Sequence, residues 1–175
     1  INFRVHRLIL SLASPLFRDM FAIGAASRQE NSLATEEKDA ASGLPIVPIM
    51  EETGETVEKL LQLCYPGPLE APIWKSASQL QPVLAAAMKY QFEGAANVLR
   101  KELVSLKLLK REPLQVFAAA SSLRLQEEAR IAARRLLSVE IEIIPEFDEL
   151  RFVSGLVMFR WMAYRKRCRA AAQSL

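Results

Sequence analysis

Apolar residues recur at helical spacing along most of the chain and give way to strand-like patterns in two places. At the start, Phe3-Arg4-Val5-His6 alternates apolar and polar, which predicts a half-buried strand over residues 3–6. Leu8, Ile9 and Leu12 then switch to a period near 3.6. Ser14 offers a cap and Pro15 a first helical position, and Leu16, Phe17, Met20 and Phe21 share one face of a second short helix ending near Phe21. From Gly24 to Gly43 almost no large apolar residue occurs, so this stretch is expected to be a surface loop that cannot repay its ordering entropy. Residues 44–49 are the second departure, rich in β-branched side chains. Pro45 and Pro48 lack ladder donors, which predicts an edge strand there.

Thr53 can cap a helix whose Val57, Leu60, Leu61 and Cys64 fall at i, i+3, i+4 and i+7, with Tyr65-Pro66-Gly67-Pro68 as its stop. Ser78 precedes a stripe of Leu80, Val83, Leu84 and Ala87, and Phe92, Ala95, Ala96, Leu99 and Leu103 repeat the pattern. Two packed helices are therefore expected over residues 79–104. Lys107 to Arg111 carries three charges ahead of Glu112-Pro113, and a domain boundary is placed about there. Residues 114–123 and 126–138 read as an αα-hairpin, in which Ala118, Ala119, Ala129, Ala132 and Ala133 permit close approach. Ser154 can cap a last helix to Gln173. Its Val157, Trp161, Tyr164 and Cys168 form one stripe that asks for a packing partner, so the helix is expected to dock back onto the hairpin with Arg160, Arg165, Arg167 and Arg169 pointing elsewhere.

Composition is that of a globular protein, with 51% hydrophobic and 25% charged residues in 175, enough for one domain of about 100 residues plus an appendage. The first residue is Ile1 and the alternating segment starts at once, which reads as entry into the middle of a longer chain. No apolar run reaches the roughly 18 residues needed to cross a bilayer, so no membrane partner is expected. Cys64 and Cys168 are too few for a disulfide framework or a four-ligand zinc site, which fits a reducing intracellular compartment, cytoplasmic or nuclear. Net charge is only +3, but it is unevenly spread. Eight acids face three bases between Ala25 and Leu60, whereas six bases and no acid follow from Arg151 on.

The run from Phe3 to Phe21, FRVHRLILSLASPLFRDMF, resembles the signature of BTB/POZ domains, where a strand ending in His and a basic residue leads to a Leu-rich helix, a Ser-Pro turn and a Phe-containing helix. Leu60-Leu61-Gln62-Leu63-Cys64-Tyr65-Pro66-Gly67 and Leu84-Ala85-Ala86-Ala87-Met88-Lys89-Tyr90 are similar to two further family segments in order and spacing. Residues 1–108 would form this domain, and residues 109–175 resemble the helical extension of many fungal BTB proteins. The resemblance implies an α+β, mostly helical fold, with a small sheet beside paired helices, and a scaffold that binds proteins without catalysis. Relatives that recruit a cullin ubiquitin ligase often carry a large apolar residue two positions before a Glu after the Phe-containing helix. Here Glu30 follows Arg28 and Glu36 follows Ala34, so cullin recruitment is in doubt.

Candidate chemistry points the same way. His6 is the only histidine, which rules out a multi-histidine metal site and leaves it a structural role at the strand-helix junction. Glu36-Glu37-Asp39 and Glu51-Glu52 lack the spacing of a calcium loop, and the six glycines form no phosphate-binding motif. Neither catalytic residues, cofactor nor metal are expected. The expected activity is a protein-protein adaptor, dimerising through the BTB-like part, with His6, Arg7, Leu8, Leu12 and Met20 as candidate protein-binding residues. Nucleic acid is not the expected partner. The alternatives are a transcriptional regulator whose basic Arg165-Lys166-Arg167-Cys168-Arg169 cluster contacts nucleic acid, and a cullin substrate adaptor.

Overall fold

A computed structural model of the chain describes residues 1–26, 43–65, 72–139 and 147–174. Helices dominate it, as the 3.6 spacing requires. They are α1 (Arg7–Ala13), α2 (Pro15–Ala26), α3 (Gly54–Cys64), α4 (Ala77–Lys89), α5 (Glu93–Leu103), α6 (Leu106–Arg111), α7 (Pro113–Ser122), α8 (Gln126–Arg135) and α9 (Gly155–Gln173), with 3-10 turns at Leu136–Ser138 and Asp148–Phe152.

The two expected strands are where sequence and structure part. Residues 3–6 pair with nothing as a strand, and residues 44–49 make only an isolated bridge at Pro45. Alternation records which faces of an extended segment are apolar, but a strand forms only where a neighbour completes its backbone bonds. The His6 N–H goes instead to the Tyr65 hydroxyl, at 2.6 Å, and the prolines have no N–H to give.

Caps fix most helix starts. The Thr53 hydroxyl accepts from the Thr56 N–H at 3.2 Å, Ser154 accepts from Val157, and Pro113 opens α7. α4 begins before Ser78, because Ser76 is the residue that accepts the Gln79 N–H, at 3.2 Å. α2 runs past Phe21 to Ala26, since Ala22, Ala25 and Ala26 are strong helix formers. Residues 27–42 of the expected loop and residues 66–71, with the expected stop after Tyr65, lie outside the described residues.

The chain divides into two compact units, Ile1–Pro72 with Ala86–Ala96, and Ile73–Ala85 with Asn97–Leu175. In the first, α1 packs on α2 and α3. Phe17 is buried at its centre, its ring 5.6 Å from Phe92, 5.9 Å from Phe21 and 6.1 Å from Tyr90. In the second, α7 and α8 form the expected hairpin, with Ala118, Ala119, Ala120 and Ala132 buried. α9 docks on it through Trp161, which is 4% exposed with its ring 5.8 Å from Phe117. Arg165 belongs to this packed side rather than to the solvent side with its neighbours. Its guanidinium donates to the Val139 carbonyl at 2.9 Å and lies 5.8 Å from the Trp161 ring.

Two turns share one design. Gln91 after α4 and Arg124 after α7 have φ of 56° and 59°. Around Gln91, the Phe92 N–H reaches the Ala87 carbonyl at 2.8 Å and the Gln91 N–H reaches Met88 at 3.2 Å. Around Arg124, Leu125 bonds Ala120 at 2.8 Å and Arg124 bonds Ser121 at 3.1 Å. This is the Schellman helix ending, normally closed by glycine.

Candidate protein-interaction site

The residues that carry the family-like signature meet in the first unit. Ser14 is wholly buried at the corner between α1 and α2. Its hydroxyl accepts the Phe17 N–H at 3.2 Å, capping α2, and donates to the Tyr90 carbonyl at 2.6 Å. One small side chain thus closes the corner on the segment ending in Lys89-Tyr90. Tyr65, the last residue of the α3 segment, receives the His6 N–H and sets its hydroxyl 3.4 Å from His6 Nδ1. Three stretches distant in sequence are joined by these contacts.

Of the candidate binding residues, His6 and Arg7 are exposed but engaged within the chain. The Arg7 guanidinium donates to the Phe21 carbonyl and sits 4.9 Å from the Phe21 ring, tying α1 to α2. Leu8 and Leu12, one turn apart on α1, are 71% and 79% exposed. α1 buries Leu10, and its Leu8–Leu12 side is left in water. Met20 lies on α2 in line with Leu16 and Ile23 at i−4 and i+3, and Ile23 is 69% exposed. Met20 on α2 and Leu8 and Leu12 on α1 lie on adjoining packed helices. Leu16 and Ile23 are exposed on the same side of α2 as Met20. Their exposure depends on tertiary packing, which spacing does not reveal.

The polar groups are committed to structure. Lys89 bonds Glu51 at 2.6 Å and Glu52 at 3.1 Å, which raises the ammonium pKa and holds the Glu51 carboxyl below its ordinary value. Burial pushes the Cys64 thiol up to about 11, and its Sγ donates to the Leu60 carbonyl at 3.2 Å. At neutral pH it is a thiol rather than a nucleophilic thiolate. Among the described residues no group of three or more His, Cys, Asp and Glu could hold a metal ion. No described helix is long and apolar enough to cross a membrane.

The buried corner thus spends its polar groups on holding two helices and leaves those helices apolar outside. The chain belongs to the BTB/POZ domain family, whose sequence pattern matches residues 1–107. The family consists of non-enzymatic protein-protein interaction and dimerisation modules. No curated protein and no solved structure matches the chain.

Proposed function

We propose that the chain is an adaptor in which residues 1–108 are the BTB/POZ part and pair with a second copy through α1 and α2, while residues 109–175 are a helical extension carrying other contacts. The observation that supports this is the exposed row of Leu8 and Leu12 on α1, with Ile23 also exposed on α2, which packs against α1. Burying each such side chain is worth about 1.5–3 kcal/mol, and a two-fold contact buries every one of them twice. Exposed His6 and Arg7 border the row at the start of α1. The cullin alternative turns largely on residues 27–42, outside the described residues.

Sedimentation equilibrium of the chain and of its Leu8→Glu/Leu12→Glu variant tests the reading. The parent is expected to show a monomer-dimer equilibrium and the variant to stay monomeric with unchanged helical circular dichroism. A parent that remains monomeric up to about 100 µM, beyond the range of a weak standard interface, removes the self-association reading.

A further inference from the structure

The outer side of α9 carries a second apolar surface that its packing on α7 does not use. Trp161 and Arg165 face inward, whereas Leu156, Phe159 and Met162, spaced three apart, are 58%, 68% and 54% exposed, and Phe152 just before the helix is exposed as well. Single exposed apolar residues are ordinary, but four within eleven positions make a patch. Beyond Met162 the same helix exposes Lys166, Arg167 and Arg169, and α9 contains no acidic residue. Apolar and cationic surface are thus separated mainly along the helix axis, apolar in the first half and basic in the second, with Arg160 the exception.

That axial order decides what fits. A second α9 laid parallel would set cations on cations, and laid antiparallel would set cations on the apolar half, so self-pairing is disfavoured either way. A nucleic-acid backbone would neutralise the basic half but leave Leu156, Phe159 and Met162 in water. A flat anionic bilayer suits a helix with its cations flanking the apolar face along the whole length, rather than gathered at one end. A helix with an apolar half and a carboxylate half satisfies both parts at once, burying its leucines or phenylalanines on Leu156 and Phe159 while pairing its acids with Lys166, Arg167 and Arg169. We infer that the outer face of α9 is a docking surface for an acidic amphipathic helix of a partner protein.

α9 belongs to the second unit and α1 and α2 to the first, so the Leu8→Glu/Leu12→Glu variant should bind as the parent does. The probe is a synthetic helical peptide of about 16 residues, long enough for two turns of each kind, with Leu and Phe at i, i+3 and i+7 in one half and Glu in the other. Its control has the same composition with the Glu residues spread evenly. Fluorescence anisotropy on the full chain is expected to give binding of the segregated peptide at least about tenfold tighter than of the control. Phe159→Ser and, separately, Lys166→Glu/Arg167→Glu/Arg169→Glu should each weaken it by about tenfold or more, the former with little effect on its salt dependence. Both changes fall on exposed positions, and circular dichroism verifies that each variant keeps its helices. Equal affinity for the two peptides overturns the inference. So does tighter uptake by phosphatidylserine vesicles or a duplex DNA that is lost in the same variants.

Discussion

Glu128 carries the second unit's one buried charge among its described residues. It is 7% exposed, and Arg100 donates to it at 2.7 Å. Desolvation alone would raise the carboxyl pKa, but the Arg100 hydrogen bond and the backbone N–H of Glu128 outweigh it, and the pKa falls below its ordinary value. A carboxyl lowered on folding contributes stability that is present above its unfolded pKa and is lost as pH drops through the folded one. The second oxygen, Oε2, is buried without a partner, so removing Arg100 would strand a desolvated anion. Arg100→Met is therefore expected to cost about 2–3 kcal/mol at pH 7 and Glu128→Gln only about 1, the smaller loss reflecting removal of the charge along with the pair. Urea unfolding measures both, and equal losses would mean that the carboxylate is effectively solvated. Neither partner could be read from the chain. They are 28 positions apart, and Glu128 looks like any acid in a first helical turn. Thr53, Pro113 and Ser154 could be read because a cap acts within four residues of itself, and Ser14 could be read as a cap but not as the donor to Tyr90.

At the scale of elements, the helical stripe was legible where the apolar residues keep to one face, as in α3, whereas in α9 only the Trp161 side was read and the outer Leu156, Phe159 and Met162 were not. The seven residues of α1 hold Leu8, Leu10 and Leu12 together, and the spacing of Leu8, Ile9 and Leu12 marks a stripe without saying which side is buried. What packs against so short a helix decides its buried side, and that information lies in other elements. Strands were misread for a related reason, since pairing is a property of two segments and alternation a property of one. The turns at Gln91 and Arg124 show no glycine or asparagine to mark them, and the sequence passes through them silently. Holding an L-residue left-handed costs about 1 kcal/mol, so Arg124→Gly and Gln91→Gly are each expected to stabilise by up to about that amount despite the added entropy of the unfolded chain. Thermal unfolding should show each midpoint rising by a few degrees. A lowered midpoint would mean that the replaced side chain does more in the turn than endure it.

At the scale of the whole chain, the class of protein was legible because the three segments resembling BTB/POZ domains are the ones that touch, through His6 with Tyr65 and Ser14 with Tyr90. The candidate surface was legible only as a list of residues, because exposure is not written in spacing. If two copies pair, association stabilises the folded state by mass action. The midpoint of the parent should then climb with protein concentration while that of Leu8→Glu/Leu12→Glu stays constant, as differential scanning fluorimetry over a hundredfold dilution can record. The Ser14 hydroxyl adds a constraint in time. It bonds a carbonyl 76 residues further along, and a ribosome adding about 5–20 residues per second adds Ser14 roughly 4–15 s before Tyr90. During that interval the corner lacks its latch, so the order of synthesis holds open a window for wrong contacts. The arrival of Tyr90 closes it.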